Sequence, residues 1–461
     1  MSRLLRYCTY DNLLMTLLAV VIVLACSLTP MQADTWWQLR AGRDIWQSGH
    51  VLLRDVYSHT AYGAFWPNHE WLAEVLFYGA YRLAGLAAVT LFAAALIVAG
   101  WAISWTLGGG SVRARFVWFL LAIVPASVAW EPRPHAFSLL LLPAVVYLLV
   151  HRMYLWLPIT FAVWANCHGG VLLGLPVLAA GLAAQTWLTP ARWWKHALLL
   201  TACALALCAT PLGLSFWTEI PQSLSRINQY AISEWRRPLL TDVRMLPFWA
   251  LSTVFVISMI VRGRRLHELS GADVTLCVCA LPLLPMAAVG LRHVSPFLMI
   301  AVPALTRLVP FPGLAAMRRD ERPVLHLAIM SCAVLGTAAT LTWAYRHNIP
   351  RLQWSPVPAP ALDALRGCPE NLYNRYDEGG SLIWFLPEKR VFLDGRQDPY
   401  VPELVFEHVR VETAGGDPRP LFSRYGIRCA YLPTSSPTAV RLSGMGWTTL
   451  YRDRDWIVLS E

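Results

Sequence analysis

Runs of about twenty apolar residues, parted by short polar stretches, dominate the chain from residue 13 to residue 344. A helix needs about that length to cross a bilayer, so each run predicts a membrane span. The runs fall at 13–31, 86–107, 115–130, 136–150, 154–166, 171–188, 197–216, 246–262, 272–290, 295–310 and 324–344. That makes about eleven spans, the fourth and fifth of them short. After Tyr345 the pattern changes to that of a soluble chain. Strand-like runs at 372–376, 390–394, 427–432 and 456–459 are interspersed with helical stretches at 381–385 and 401–411. Such an order predicts a small α/β domain. The fold class expected is a polytopic α-helical membrane protein, with a transmembrane domain over 1–345 and an external α/β domain over 346–461.

The longest polar interruption before residue 217 runs from 34 to 85, within a first external loop of 32–85. Arg40, Arg43, Asp44 and Gln47 recur at helical spacing on one face, and Trp37, Ala41 and Ile45 on another. This predicts a Trp-rich helix lying along the membrane interface, stopped at Gly49. Asp44 falls on its solvent face. Residues 70–83 predict a second surface helix that leads into the next span.

Composition narrows the class further. The chain has 461 residues, 56% of them hydrophobic and 14% charged, which fits only a polytopic membrane protein. The net charge of +10 is no nucleic-acid signal, because the basic residues sit in short loops. With the N-terminus inside, the cytoplasmic loops carry Arg113 and Arg115, His151 and Arg152, Arg192 and Lys195, Arg262, Arg264 and Arg265, and Arg318, Arg319 and Arg322. An odd number of spans then puts the tail outside. Arg3 and Arg6 precede a first apolar run longer than a signal-peptide core, so that run reads as an uncleaved anchor. Eight of the ten cysteines precede residue 333, mostly in apolar runs and without metal-ligand spacing. Cys368 and Cys429, the two in the tail, either form a disulfide or are buried thiols.

Acids, histidines and arginines concentrate in the loops on the other side. Asp34 directly follows the first span; it either caps the next helix or, near the level of a lipid phosphate, holds a cation or accepts a proton. His69 and Glu70, in PNHEWL, either cap and anchor a helix or bind an acceptor and assist proton transfer. Asp55, in LLRDVYSHT, reads as a turn residue paired with Arg54. Glu131, Arg133 and His135 lie in EPRPH, a loop stiffened by two prolines that is either a tight turn or the seat of a second carboxylate. Asn166 and His168 in NCHGG end a helix where two glycines permit close backbone approach, as a site or as a plain turn. Arg292 and His293 end a span and either bind phosphate or snorkel. Asp394, Arg396 and Asp398 in FLDGRQDPY are explained by turn chemistry or by a ligand.

Three motifs carry a resemblance. They are Asp34-Thr-Trp-Trp-Gln-Leu-Arg40 behind the first span, the WxNxHGG pattern of Trp164 to Gly170, and the YxxGGxLIW…FxDGR pattern of Tyr376 to Arg396. The order of a first span, this acidic-aromatic run and a long external loop resembles the GT-C superfamily of integral-membrane glycosyltransferases. The resemblance implies sugar transfer from a polyprenyl-phosphate or polyprenyl-diphosphate donor to an envelope glycan, lipid or protein, outside the cell's inner membrane. It implies Asp34 as the first-loop catalytic acid, with Glu131 in a comparable second external loop. Arg40, His69, Glu70, Arg133, His135, Asn166, His168, Arg292 and His293 are the substrate-binding candidates. A divalent cation, magnesium or manganese, would be held at Asp34.

No Walker loop or dinucleotide GxGxxG occurs, which argues against a cytoplasmic nucleotide-sugar mechanism. A non-enzymatic transporter or flippase would place polar residues at mid-span in two matching halves, whereas the acids here lie in loops. A polymerase or ligase of lipid-linked glycans is the nearer alternative.

Overall fold

The computed structural model describes residues 5–227, 235–263, 269–309, 322–369, 371–413 and 415–461. Arg3, Arg264, Arg265, Arg318 and Arg319, used above to orient the chain, lie outside the described residues. Two compact units form. One comprises Met1–Thr29, Leu83–Thr218 and Asn228–Asn348; the other comprises Pro30–Arg82, Glu219–Ile227 and Ile349–Glu461.

The first unit is helical; most apolar runs fall on a single helix, but 272–290 is divided between Gly271–Ala280 and Leu283–Val289, and the helix in 197–216 ends at Ala206. Seven of the described helices are long and apolar enough to cross a membrane: Tyr10–Ser27, Trp71–Leu107, Val112–Ala129, Val171–Leu188, Val243–Gly263, Gly271–Val289 and Pro323–His347. Their starts follow from local chemistry. Thr9 caps the first by accepting from the Asn12 amide, and Ser270 with Asp273 forms a reciprocal capping box before Gly271–Ala280. The shorter helix Val294–Leu308 is buried on almost every face and packs against Val112–Ala126, Leu246–Gly263, Gly271–Ala280 and His135–Val150. A helix apolar all round belongs in an interior. At Gly100 a Cβ would overlap the Leu139 carbonyl, so Trp71–Leu107 and His135–Val150 touch backbone to backbone.

The second unit joins the first polar loop to the tail. The helix Ala33–Ser48 ends at Gly49 in the left-handed region (φ 72°), where the sequence places its stop. The stretch 70–83 is the start of Trp71–Leu107, which breaks at Ala84 and Gly85. In the tail, β1 (Leu372–Asn374), β2 (Cys429–Pro433), β3 (Thr448–Arg452) and β4 (Trp456–Ser460) form a sheet of order β1-β2-β4-β3. β1 runs parallel to β2 with Leu372 opposite Cys429; β2 and β4 are antiparallel with Tyr431 opposite Val458. Trp37, Ala41, Tyr57 and Trp66 from the loop share one buried core with Leu365, Leu372, Leu382, Val391, Tyr431 and Val458 from the tail. Each buried aromatic there contributes about 2–3 kcal/mol. Gly380 lets the helix Tyr376–Phe385 touch Ala33, because a Cβ would overlap the Ala33 carbonyl.

Three sequence expectations are corrected here. Residues 390–394 are not a strand of the sheet; Val391 makes a single bridge to Ser58, its N–H and carbonyl bonded to Tyr57 O and His59 N. The fourth strand is instead β3, whose mostly exposed residues lack the apolar alternation that marks a half-buried strand. Asp55 is fully buried and pairs with Arg396, while Arg54 donates to the Gly63 carbonyl. Asp44 is no idle solvent-facing group, since it accepts from Arg40 Nε at 2.8 Å and Tyr57 OH at 3.0 Å.

Cys368 and Cys429 form a disulfide with Cα atoms 5.8 Å apart, tying the segment before β1 to β2. Closing a loop of this length typically stabilises by about 2–4 kcal/mol. Peptide mapping after thiol labelling without reductant should therefore find neither cysteine modified. Labelling of either one would refute the bond.

Candidate functional site

Asp34 lies in the first turn of Ala33–Ser48, but the cap residue is Gln32, so Asp34 is not the cap. A carboxylate in a first turn is favoured by the exposed amides there. Its Oδ1 accepts the Trp37 indole N–H at 3.0 Å. The FxDGR turn of the tail closes over the same oxygen, and a Cβ on Gly395 would overlap it. Tyr376 OH donates to the Gly395 carbonyl at 3.2 Å and accepts from Gln397 Nε2 at 2.5 Å. Burial, and then the Asp34 carboxylate, push the Tyr376 phenol well above its usual range. Tyr376 is thus a permanently neutral donor beside Asp34.

The turn is held by a buried ion network. Arg396 bonds Asp394 through Nε at 2.8 Å and Nη2 at 2.7 Å, and its Nη1 lies 2.6 Å from Asp55 Oδ1. Tyr400 OH donates to Asp394 at 2.6 Å, and the guanidinium lies over the Tyr57 and Trp66 rings. FLDGRQDPY therefore reads as a lock between loop and tail that sets the position of Gly395.

Of the other loop candidates, Arg40 is committed to Asp44 and to the Ile383 carbonyl, at 2.9 Å. Glu70 Oε2 accepts from Gln38 Nε2 at 3.0 Å, and His69 Nε2 is 3.9 Å from Glu70 Oε1. His69 Nδ1 donates to the Pro67 carbonyl at 3.1 Å, and burial lowers the affinity of its ring for a second proton. A cavity lined by Phe65, Pro67, Glu219, Ser223 and Asp398 opens beside this turn.

A divalent cation fits this donor set poorly. Among the described residues no three histidine, cysteine, aspartate or glutamate side chains converge. One oxygen of Asp34 is already engaged by Trp37 and faced by Gly395.

The remaining candidates belong to the helical unit. EPRPH leads into His135–Val150, with Glu131 and Arg133 buried or nearly so, 3.6 Å apart, and His135 Nε2 donating to the Ala129 carbonyl at 2.7 Å. The short turn Ser127–Ala129 packs against Leu291–His293, bringing the EPRPH approach beside Arg292 and His293. Arg292 stacks over the Trp235 ring, 4.7 Å from its centroid. Burial, reinforced by Arg292, pushes His293 down to about 4, so it is neutral near pH 7. Asn166 Nδ2 donates to the carbonyls of Ala162 and Ala209, both at 2.8 Å, and His168 meets Ser138 of the helix His135–Val150. One end of that helix thus gathers Glu131, Arg133, His135, His168, Arg292 and His293. Ser138 and Trp235 were not singled out from the sequence; Tyr376 and Gly395 stand only within a motif quoted above, and Trp37 was read there only as part of a helix face.

No protein-family model and no curated protein matches the sequence. Solved structures do match. ArnT from Cupriavidus metallidurans bound to undecaprenyl phosphate superposes with a TM-score of 0.52 at 14% identity, over 97% of each chain. The apo form of the same protein gives 0.54 at 15% identity, again over 97% of each chain. The archaeal oligosaccharyltransferase AglB from Archaeoglobus fulgidus, in complex with an inhibitory peptide and a dolichol-phosphate, gives 0.55 at 12% identity, over 92% of this chain and 69% of that one. The chain has the GT-C fold. Its agreement with these structures extends across both units, so the GT-C likeness rests on the whole chain and not on one helical segment.

Proposed function

We propose that this GT-C chain is a membrane glycosyltransferase that moves a sugar from a polyprenyl-phosphate or polyprenyl-diphosphate donor to an envelope acceptor. The observation that carries the reading is full-length fold agreement with a protein solved with undecaprenyl phosphate. It is joined by a carboxylate, Asp34, held by Trp37 and Gly395 just behind the first span. In the reaction an acceptor oxygen attacks the anomeric carbon, the bond from that carbon to the donor phosphate oxygen breaks, and the acceptor proton passes to Asp34. The bond electrons leave on the lipid phosphate. Asp34 supplies the base, and N–H donors stabilise the charge that gathers on the departing phosphate. Positioning of two reactants contributes the rest. A strain lacking the protein should lose one sugar from a single envelope glycan or lipid. An unchanged glycolipid and glycan profile would remove the basis for transfer.

The finer topology is part of the same proposal. The apolar helices His135–Val150, Trp156–Cys167, Trp193–Ala206 and Val294–Leu308 bring the long ones to about eleven spans in the inner membrane. With the N-terminus cytoplasmic, the 346–461 α/β domain and its disulfide lie outside, where oxidation is permitted. A periplasmic reporter fused after Glu461 should be active. Activity of a cytoplasmic reporter at that position would invert the topology.

A further inference from the structure

Extended chain turns successive side chains to opposite sides, and residues 65 and 66 do so. Phe65 bridges Arg54, Trp66 enters the buried core, and the Phe65 ring is left 46% exposed, against no other ring among the described residues. On the helix Phe216–Ile227, Glu219 and Ser223 stand at i and i+4 and so share a face. Phe65, Pro67, Glu219, Ser223 and Asp398, all in the second unit, line one cavity of about 160 Å³. A cavity of roughly that size takes one six-membered ring. Ser223 is only 8% exposed, and neither its hydroxyl nor the Glu219 carboxylate has a hydrogen-bond or ion-pair partner among the described residues. A hydroxyl at that depth calls for a bond from whatever fills the cavity.

The lining selects a ligand class. Carboxylate oxygens accept hydrogen bonds, a serine hydroxyl both donates and accepts, and an aromatic face packs against C–H groups. A pyranose ring matches all three, with hydroxyls around its rim and C–H bonds on its faces. A phosphate does not, because the two carboxylates repel it. The sugar of the donor is bonded directly to phosphate, so the cavity suits a ring of the acceptor instead. Gly395 meets Asp34 and precedes Asp398 by three residues, which holds their Cα atoms within about 11 Å and puts the cavity wall close to the proposed base. We propose that the cavity is a subsite for one sugar ring of the acceptor, which makes that acceptor a glycan. Glu219 accepts from ring hydroxyls, Ser223 bonds another, and Phe65 packs on the ring face. The inference rests on the sugar-transfer reading above.

The test uses the full-length chain in lipid nanodiscs, with a panel of methyl hexopyranosides and methyl pentopyranosides as probes, read by saturation-transfer NMR. At least one glycoside should bind, with saturation reaching its ring C–H protons. Binding should weaken about tenfold in Glu219→Gln, the scale of one hydrogen bond to a charged group, and comparably in Phe65→Leu. Undecaprenyl phosphate, which carries no sugar, should bind both variants as it binds the wild type, and this also shows that they fold. Binding of no glycoside in the panel would overturn the proposal. So would glycoside binding indifferent to both variants, although sugar transfer would then survive as a reading. Preferential binding of methylammonium, lost in Glu219→Gln and screened by salt, would make the cavity a cation site and overturn it as well. The sugar of the bound glycoside, added as its undecaprenyl-phosphate conjugate, separates the two sources of a ring: retention of the glycoside supports the acceptor, and displacement would assign the ring to the donor and overturn the acceptor role. Failure of the wild type to bind undecaprenyl phosphate would overturn the lipid-phosphate reading and the acceptor role with it, leaving only a sugar-binding cavity.

Discussion

Asp34→Asn is expected to give a folded, membrane-inserted protein whose sugar transfer is lowered by about 100-fold or more, the scale of a lost general base. The substitution is a narrow one. The Asn carbonyl oxygen can still accept the Trp37 N–H, and the amide occupies the same space below Gly395. What disappears is the basic lone pair and the charge. Because Asp34 is not the helix cap, no cap is lost, and the first-turn charge that is removed contributes about 0.3–1 kcal/mol. Asp363→Asn, at an exposed position paired with Arg366, serves as the control and should transfer normally. Asp44→Asn does not serve, since it releases Tyr57 and Arg40. Transfer would be measured in membrane vesicles with the lipid-linked donor. If Asp34→Asn kept near-normal transfer while Glu70→Gln or Glu131→Gln abolished it, the catalytic carboxylate would have to be reassigned.

Arg396→Met should produce the largest loss of stability of any single change in the tail. It strands Asp55 and Asp394, whose side chains share a fully buried site with Arg396. Removing one partner of a buried ion network typically costs about 3–5 kcal/mol, because an uncompensated charge remains in a low-dielectric interior. The backbone donors and the Ser58 hydroxyl on Asp55 offset only part of that. Thermal unfolding monitored by tryptophan fluorescence, together with protease cleavage of the tail, would report the loss. Adding Asp394→Asn to Arg396→Met should recover part of it by removing one stranded charge. Transfer should fall as well, since Gly395, between the two network residues, is the backbone that meets Asp34. A melting curve matching the wild type would show that the network is not what holds the loop to the tail.

Much of the fold was legible in the sequence, for reasons of scale. A membrane span is a local property, decided by about twenty consecutive residues, and most of the apolar runs fall on a single helix. Gly49 was readable as a stop because the left-handed conformation it adopts is a one-residue requirement. The Trp-rich stretch behind the first span was likewise legible as a helix from its spacing; the groups that pack against it were not. Residues 390–394 carry an apolar run typical of a strand, but their backbone bonds Tyr57, His59 and Thr60 of the first loop and the Asn374 side chain in place of a neighbouring strand. β3, an edge strand with most of its residues exposed, carries no apolar alternation to announce it.

What only the tertiary structure decided is which group meets which. Asp55 stands beside Arg54 in sequence and yet pairs with Arg396, because partner choice in a buried site is set by desolvation and geometry and not by separation along the chain. Asp34 acquires Tyr376 and Gly395 from the tail, and His168 acquires Ser138 from the helix His135–Val150, through contacts that no local periodicity encodes. The sequence by itself determined the helices, their apolar length and the motifs that bear the polar groups, since each depends on neighbours within a few turns. The folded chain alone determined the enclosure of Asp34, since it depends on backbone brought from a distant segment.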